Sequence, residues 1–320
     1  MTSSQLSGEG SQLARDAALI VQRTTHCSVT NVTWISRGMM THKFIVEAGA
    51  QTYIVRFYPA DRSFVVDYEP DTLRRLRISG LPVPEVLADS RTGPPALLDY
   101  MLYPMIPGMS LAERLASPTP FLPGRCCDRL VQCLWQLGSF HFEGAGELVT
   151  SRKGAATTWR VFVRESYMEG LKAIENHGFL PTDTVHSLKS IAYFCDYISD
   201  GSTSDFIWGD PTAQNILVNV HGDLAGLIDF ESVLAGDPLA TIGNLYAAHA
   251  NDDFFKSVID LWPQALKGDP WRRVLFYAIL RTMRLAKFAH LPLPTGKPRA
   301  PLAEIFPNFL RAISEFQSLS

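Results

Sequence analysis

The chain has 320 residues, of which 46% are hydrophobic and 19% are charged, with 29 basic side chains against 32 acidic ones. This composition excludes intrinsic disorder, because enough apolar surface is present to offset the entropy of the chain. A net charge of -3 also argues against a general nucleic-acid binder, which would usually be basic. Even the apolar run over 97–111 is interrupted by Asp99, Pro104, Pro107 and Gly108. We therefore expect no membrane span, which needs about 18 uncharged apolar residues.

The N-terminal residues and the cysteines bear on the compartment. Residues 1–16 are polar and lack the apolar core of a secretory signal. The cysteines show no C-x-x-C spacing of a zinc or redox site. Three of them share one predicted helix, where a free cysteine packs as a small apolar residue. We therefore expect reduced thiols and a cytoplasmic protein; the cysteines are Cys27, Cys126, Cys127, Cys133 and Cys195.

The first hundred residues predict a helix followed by strands. Residues 12–23 place their apolar side chains mostly on one side, which indicates an amphipathic helix. The β-rich runs over 43–48 and 51–58 flank Gly49-Ala50, which is typical of a hairpin. The next elements in chain order are a helix over 66–79 that ends before Gly80, and extended segments over 81–86 and 96–106.

Helical patterns dominate after residue 108, and one β-rich island over 206–230 interrupts them. The fold class that these elements predict is α+β, with two unequal lobes. We expect a small strand-rich lobe over 1–106 and a larger, mainly helical lobe over 107–320, with a hinge near 103–108. The predicted helices of the larger lobe are 124–143, 155–177, 183–199, 238–249, 252–264, 271–290 and 302–318.

The chemistry is concentrated in FIWGDPTAQNILVNVHGDLAGLIDFE, residues 206–231. A hairpin in this stretch returns the chain antiparallel, so Asn215 and Asp229 stand at the same end of adjacent strands. An amide oxygen and a carboxylate there form a sparse cation site of the kind that Mg²⁺ uses alongside phosphates. Asp210 lies upstream, placed to accept a proton from an attacking hydroxyl. A base, an amide oxygen and a metal carboxylate are the parts that phosphoryl transfer needs.

Two features of this island also have a purely structural interpretation. A single aspartate in a Gly-Asp-Pro sequence is usually a turn former, and only the order and spacing of all three side chains favours chemistry. The triplet His221-Gly222-Asp223 imitates a catalytic motif, but Ile228 stands where an asparagine would be required. We interpret that triplet as the hairpin turn.

These motifs resemble those of the aminoglycoside phosphotransferase-like small-molecule kinases, which include the choline kinase type. WGDPTAQN is similar to the family's H-G-D-x-x-x-x-N, and DFE is similar to its D-[FW]-[DEG]. Gly236-Asp237-Pro238 matches the family's G-D-P. The resemblance covers about residues 30–250 and implies a bilobal, protein kinase-like fold with a small antiparallel sheet in the first lobe.

The resemblance also implies roles for individual residues. Asp210 would be the catalytic base, while Asn215 and Asp229 would hold Mg²⁺, with ATP as co-substrate and GTP as the alternative. Arg56, in a segment similar to the family's third strand, would contact the phosphates. Glu69, on the following helix, would pair with it.

Two further segments are assigned to the nucleotide by the same resemblance. Residues 36–43 take the place of the phosphate-covering loop, where Gly38 and neighbouring amides would lie over the phosphates. Residues 102–108 take the place of the hinge, where the Pro104 carbonyl and the Ile106 amide would contact the purine. Because Pro104 has no N–H, it can only accept a hydrogen bond, which suits the exocyclic amine of adenine.

The sequence departs from the family pattern at three positions. Trp208 replaces the usual histidine, and we expect its indole to brace the catalytic loop instead. Glu231 stands where protein kinases have a glycine, so an inward–outward flip of this segment is disfavoured and we expect a constitutively assembled site. Thr241 stands where the family often has an aspartate. We further expect Asp237 to be structural and His141 to be a core histidine on a helix.

The acceptor is expected in the helical lobe. A cationic acceptor would call on Asp252 and Asp253, with Glu304 as a further candidate, whereas a set of arginines fits an uncharged or anionic acceptor. We expect O-phosphorylation of an antibiotic, either an aminoglycoside-type or another hydroxylated drug. The alternatives are a metabolic kinase of choline, ethanolamine, a sugar or an amino alcohol, and a non-catalytic kinase-like binding protein. We expect a monomer or homodimer without nucleic-acid or membrane partners; the arginines are Arg272, Arg273, Arg281 and Arg284.

Overall fold

A computed structural model describes residues 8–35, 40–117, 124–200, 204–263, 266–290 and 308–319. These residues fall into two compact units, one that ends at Pro107 and one that begins at Gly108. The helices are α1 (Gly8–Thr25), α2 (Glu69–Ile78), α3 (Leu111–Ala116), α4 (Gly124–Leu137), α5 (Trp159–His177), α6 (Thr182–Ile191), α7 (Leu239–His249), α8 (Asp253–Asp260), α9 (Asp269–Ala286) and α10 (Phe309–Ser318). The strands are β1 (Val29–Ile35), β2 (His42–Ala48), β3 (Gln51–Tyr58), β4 (Ala88–Asp89), β5 (Asp99–Pro104), β6 (Met109–Ser110), β7 (His141–Phe142), β8 (Ala145–Thr150), β9 (Lys153–Ala156), β10 (Ser204–Ile207), β11 (Ile216–Val218), β12 (Leu224–Leu227) and β13 (Leu234–Gly236).

The first unit is an antiparallel sheet in the order β1-β2-β3-β5-β4, with α1 packed on it. The predicted hairpin is confirmed: Ala48 pairs with Gln51, and Gly49 has the positive φ of +60° that such a tight turn requires. The apolar side of α1, including Ala17 and Ile20, packs into one core with Phe44 and other strand residues. The pattern over 12–23 therefore predicted α1 correctly.

The strands β1 and β4 were not predicted, and prolines explain two other differences in the first unit. The helix predicted over 66–79 begins only at Glu69, after a 3₁₀ helix over Ala60–Asp67, and Pro70 occupies its first turn, where a missing N–H costs nothing. The segment 81–86 is not a strand in the structure. Pro82 and Pro84 lack the N–H groups that a sheet ladder needs.

The second unit is built around α9, against which α5, α7 and α10 pack. Apolar residues of α9, from Val274 to Met283, are buried. Two small sheets lie in the same unit, in the orders β7-β10-β13-β8-β9 and β12-β11-β6. None of the described helices is both long and apolar enough to cross a membrane.

The helices predicted over 124–143 and 155–177 extend too far into the segment between α4 and α5, where the chain forms β7, β8 and β9, none of which was predicted. Glycines decide this difference: Gly144 and Gly146 have positive φ, and a Cβ at Gly154 would overlap the backbone of Ala145. His141, expected on a helix and in the core, therefore lies on β7. Its side chain is exposed, and its Nδ1 lies 2.6 Å from Asp205 Oδ1.

Several other helix boundaries were also misplaced. The helix predicted over 183–199 gives way to a 3₁₀ helix over Ala192–Tyr197, and the one predicted over 252–264 ends at Asp260. The sequence analysis missed α3, whose N-terminus carries a capping box between Ser110 and Glu113. The first part of the predicted helix over 302–318 lies outside the described residues.

The β-rich island forms the predicted hairpin. β11 and β12 are antiparallel, with Ile216 opposite Leu227. His221, Gly222 and Asp223 lie in the turn between them, and Gly222 has a φ of +83°. The interpretation of this triplet as a turn is confirmed.

The cysteines of α4 pack into the core. Cys126, Cys127 and Cys133 are all fully buried. Burial raises the pKa of the Cys126 and Cys127 thiols to about 12. These thiols therefore behave as small apolar groups at neutral pH.

Candidate active site

The segment from Trp208 to Asn215, called the catalytic loop below, leaves β10 through a glycine that no other residue replaces easily. A Cβ at Gly209 would overlap the carbonyl oxygen of Ser232. Beyond it, two tight turns follow: the Thr212 N–H donates to the Asp210 carbonyl at 2.8 Å, and the Asn215 N–H donates to the Thr212 carbonyl at 2.9 Å. These turns fix the spacing between Asp210 and Asn215.

Asp210 and Asn215 contact each other through their side chains. Asn215 Nδ2 donates to Asp210 Oδ2 at 2.7 Å and to the Asp210 carbonyl at 2.9 Å. Because both partners are acceptors, the amide nitrogen must face Asp210. The Asn215 amide oxygen therefore points away from Asp210.

The hairpin brings Asn215 and Asp229 to the same end of two paired strands. The Ile228 N–H donates to the Asn215 carbonyl at 2.9 Å, one residue before Asp229. Asp229 has a φ of +66°, a left-handed conformation that a non-glycine residue keeps only when its surroundings hold it. The Trp208 indole N–H donates to the Asp229 carbonyl at 3.3 Å and supplies part of that support.

Trp208 anchors the start of the catalytic loop. Its ring is fully buried and stacks on Phe230, with centroids 5.3 Å apart and planes at 10°. Its backbone N–H donates to Thr241 Oγ1 at 3.0 Å, and its carbonyl accepts from Asn244 Nδ2 at 3.2 Å. The indole thus braces the loop as expected for a histidine replacement, and Thr241 retains a supporting contact although it is not an aspartate.

Arg281 forms the second contact of the Asp210 carboxylate. Its Nη2 lies 2.5 Å from Asp210 Oδ1, and its Nη1 donates to the Asn244 carbonyl at 2.9 Å. Arg281 is 10% exposed and Asp210 is 36% exposed. Both carboxylate oxygens of Asp210 are therefore held by the protein, while one third of the side chain stays open to solvent.

Arg281 was predicted only as one of four arginines that fit an uncharged or anionic acceptor. Its contact with Asp210 was not predicted. The spacing did set Arg281 apart, because Arg273, Tyr277 and Arg281 recur every four residues and so lie on one side of α9. The first two reach Asp237, at 2.6 Å from Arg273 Nη1 and 2.8 Å from the Tyr277 hydroxyl. Asp237 also accepts from the Leu239 N–H at 3.0 Å, so it ties backbone and helices together, as expected for a structural residue.

His249 was also missed. The Ala213 N–H, in the middle of the catalytic loop, donates to His249 Nε2 at 2.9 Å. On its other side, His249 Nδ1 lies 2.6 Å from Asp252 Oδ2. Its position at the end of α7, outside any motif, gave the sequence analysis no signal.

The candidate acceptor carboxylates are engaged within the chain. Asp252 contacts His249, as described above. Asp253 is 92% exposed, and its Oδ1 accepts from Lys256 Nζ at 2.8 Å. Glu304 lies outside the described residues.

In the first unit, Arg56 and Glu69 form the ion pair that the resemblance implies. Arg56 Nη1 lies 2.9 Å from Glu69 Oε1, and both side chains are at most 2% exposed. The Tyr58 hydroxyl donates to Glu69 Oε2 at 2.7 Å, and Arg56 Nε donates to Thr41 Oγ1 at 3.1 Å. Glu69 also opens α2, where the helix dipole favours a negative charge.

The remaining predicted nucleotide residues are placed less fully. Gly38 lies outside the described residues. Pro104 is the last residue of β5, opposite Tyr53, and the next residue, Met105, donates its N–H to the Thr52 carbonyl at 2.9 Å. Ile106 follows as a half-buried residue outside the strands.

Solved structures share this fold. The chain resembles the aminoglycoside phosphotransferase APH(4)-Ia in a ternary complex with ADP and hygromycin B, at a TM-score of 0.68 and 16% identity over 94% of this chain and 96% of that one. It resembles a protein from Thermobifida fusca described as a fructosamine-3-kinase, at 0.63 and 17%, over 93% and 98%. It also resembles ADP-bound APH(2'')-Ib, at 0.61 and 15%, over 95% and 98%. The fold is thus the protein kinase-like fold of these phosphotransferases.

The sequence matches the phosphotransferase enzyme family, APH, over residues 32–277. That span includes more than half of the chain, and the chain belongs to this family. It is therefore an ATP-dependent phosphotransferase with an alcohol-type acceptor, as the motifs predicted. No curated protein sequence matches it.

Proposed function

We propose that this protein transfers the γ-phosphoryl group of Mg-ATP to a hydroxyl group of a small molecule, with Asp210 as the base. The observation that carries this proposal is the state of the Asp210 carboxylate. It is hydrogen-bonded by Asn215 and Arg281, yet 36% of the side chain is exposed. A carboxylate held in this way is oriented before the acceptor arrives and still has a side open to it.

In the proposed step, the acceptor hydroxyl gives its proton to Asp210 as its oxygen attacks the γ-phosphorus. The bond from the γ-phosphorus to the bridging oxygen breaks, and ADP leaves with that electron pair. Arg281 stabilises the anionic carboxylate before the proton arrives. Asn215 keeps the second carboxylate oxygen fixed during the transfer.

Mg²⁺ would be held by the Asn215 amide oxygen and the Asp229 carboxylate. The described residues contain no group of three or more histidine, cysteine, aspartate or glutamate side chains that would form an all-protein metal cage. A two-oxygen donor set fits Mg²⁺, which usually keeps waters and completes its shell with substrate phosphates. Bound there, the ion would neutralise charge on the phosphates.

Nucleotide contacts are proposed for the first unit on the strength of the family motifs. Arg56 would contact the phosphates, and Glu69 would fix the direction of its guanidinium through their buried ion pair. The amides near Gly38 would cover the phosphates. The Pro104 carbonyl and the Ile106 amide would bind the purine edge, with adenine preferred to guanine.

For the acceptor, we propose a hydroxylated antibiotic, inactivated by O-phosphorylation. APH(4)-Ia, which this chain resembles, is seen with hygromycin B, and this supports a drug acceptor. The charge pattern favours a drug with few ammonium groups over a polycation, because the candidate carboxylates are already engaged within the chain: Asp252 with the His249 ring, and Asp253 with the Lys256 ammonium group. A metabolic kinase of a sugar or amino alcohol is the second candidate, supported by the likeness to the fructosamine-3-kinase-type protein.

The test is phosphoryl transfer by the purified full chain, measured by mass spectrometry and ³¹P NMR. Mg-ATP is supplied with a panel of hydroxylated antibiotics, sugars, choline and ethanolamine, and Asp210→Asn is the matched inactive variant. A drug acceptor is expected to give the highest kcat/KM and to lose antibacterial activity when phosphorylated. A sugar or amino alcohol with the highest kcat/KM would favour the second candidate. Absence of transfer to every acceptor would contradict the proposal.

A further inference from the structure

We infer that His249, oriented by Asp252, is a positioning residue of the catalytic loop. It acts by accepting the backbone N–H of Ala213. Neither its contact nor its role follows from the motifs that carry the phosphotransfer chemistry. The structural part of this inference stands on the contacts alone, and its kinetic part rests on the proposed function.

Ala213 is the central point of the catalytic loop. It follows Asp210 by three residues, precedes Asn215 by two and is only 2% exposed. Its carbonyl accepts from the Ala112 N–H of α3 at 3.0 Å, while its N–H donates to His249 at the end of α7. Two helices therefore hold the two backbone groups of one residue, and a shift of Ala213 would move Asp210 and Asn215 apart.

The contacts define the protonation state of His249. The Ala213 N–H can only donate, so Nε2 must be the bare, accepting nitrogen of a neutral ring. The proton must then lie on Nδ1, where it donates to Asp252 Oδ2 at 2.6 Å. A histidine tautomer is set in this way by the hydrogen bond that the other ring nitrogen makes.

Packing restricts the ring to this orientation. His249 is 14% exposed, and the Phe254 ring lies edge-on to it, with centroids 5.6 Å apart and planes at 85°. The Asp252 N–H donates to the His249 carbonyl at 2.9 Å, so the short link between α7 and α8 also fixes the distance between the two side chains. Asp252 is 47% exposed and is therefore the more solvent-accessible member of the pair.

The first experiment measures the tautomer directly. The full chain is labelled with ¹⁵N-histidine, and the His249 signals are assigned among its eight histidines by their loss in His249→Gln. At pH 8, two-bond ¹H–¹⁵N correlations are expected to show the proton on Nδ1. A proton on Nε2 would overturn the inference, because that nitrogen could no longer accept from Ala213.

The second experiment measures hydrogen exchange at the Ala213 amide. In His249→Ala this amide is expected to exchange about 10 to 100 times faster, because its acceptor is lost. His249→Gln, whose side-chain oxygen can accept, should restore most of the protection. Asp252→Ala should give a smaller increase, and the neighbouring exposed variant Asp253→Ala should give none. Equal acceleration throughout α7 and α8 would show a general packing role and overturn the inference.

The third experiment separates kcat from KM for phosphoryl transfer. His249→Ala is expected to lower kcat about tenfold or more while KM for ATP stays within about twofold, and His249→Gln should recover most of kcat. An unchanged kcat in a variant with faster Ala213 exchange would contradict the positioning role. If the wild-type chain phosphorylates no acceptor, the proposed function fails, while the tautomer and exchange measurements still decide the inference.

Discussion

Each of the two units contains an arginine–carboxylate pair that we assign to the proposed function, and the two pairs differ in burial. Arg56 and Glu69 in the first unit are at most 2% exposed. The Tyr58 hydroxyl donates to Glu69, and Arg56 donates to the Thr41 hydroxyl oxygen. The Arg281–Asp210 pair in the second unit is shorter, at 2.5 Å, but its carboxylate is 36% exposed. The same two functional groups are thus enclosed in one unit and open to solvent in the other.

This difference shows how burial decides what an ion pair does. An enclosed pair has its remaining hydrogen-bonding capacity directed at protein groups, so it fixes a geometry and is costly to break. A pair whose carboxylate reaches solvent contributes less to stability, but the carboxylate can exchange a proton with a ligand. In the proposed function, the Arg56–Glu69 pair therefore fixes the direction of the guanidinium that would contact the phosphates, whereas the Arg281–Asp210 pair would take part in the proton transfer.

The strongest test of this distinction is Asp210→Asn. An amide cannot take the proton of the acceptor hydroxyl, so kcat is expected to fall about 10² to 10⁴-fold, with little change in thermal stability. The control is Asp223→Asn, which alters the aspartate of the His221-Gly222-Asp223 turn between β11 and β12 and should leave kcat unchanged. Steady-state phosphoryl transfer measures both. Full activity in Asp210→Asn would disprove the assigned base.

Glu69→Gln tests the enclosed pair. It leaves the Arg56 charge buried without its counter-ion, and the free energy of unfolding is expected to fall by about 3 to 5 kcal/mol. Asp71→Asn is the matched control on the same helix, because Asp71 is 42% exposed and its pairs with Arg74 and Arg91 are worth at most about 1 kcal/mol. Urea unfolding followed by circular dichroism measures both. Equal losses for the two variants would remove the distinction.

The sequence was informative where side chains act in short, ordered segments. Asn215 and Asp229 flank one hairpin and Asp210 lies just upstream, so strand geometry alone predicted that Asn215 and Asp229 share an end. The β2–β3 hairpin and α1 were predicted for a similar reason, because periodicity and a turn glycine act over a few residues.

The contacts that were missed join residues far apart in the chain. Arg281 reaches Asp210 across 71 positions, and His249 reaches Ala213 across 36. A local pattern can single out a polar side chain, but it does not say which distant residue that side chain reaches, because only the packing of α7 and α9 brings the partners together. The strands β7–β9 were missed for another reason: their glycines allow a close backbone approach that a helical pattern does not reveal.

Arg281→Gln tests what the guanidinium contributes to the Arg281–Asp210 pair. Loss of one charge-assisted hydrogen bond to Asp210 is expected to lower kcat/KM about 10- to 100-fold. Lys287→Gln, one residue beyond α9 and paired with Glu169 at 2.5 Å, should change kcat/KM less than about twofold. Circular dichroism checks that both variants fold. Equal losses in kcat/KM would show that Arg281 acts only through the general charge of α9.

The smallest expected effect concerns Asp89, a third paired carboxylate, which lies in the first unit. Its side chain is fully buried, and it accepts from Arg74 at 2.8 Å and from the Arg91 backbone at 2.9 Å. Burial alone would raise the pKa of Asp89, but hydrogen bonds from Arg91 and Arg74 outweigh it and hold the pKa below its ordinary value of 3.8. The unfolded chain therefore takes up this proton at a higher pH than the folded chain does.

The stabilisation from Asp89 is thus complete well above pH 3.8 and is lost as the pH falls through the lower folded-state pKa. We expect the difference in unfolding free energy between the wild type and Asp89→Asn to shrink as the pH falls from 6 to 3. Urea unfolding at several pH values measures it, with the exposed Asp67→Asn as control. A difference that stays constant over this range would mean that Asp89, although buried, is held by packing rather than by its arginines. Burial alone would then not explain why the Arg56–Glu69 pair is expected to stabilise the fold more than the Arg281–Asp210 pair does.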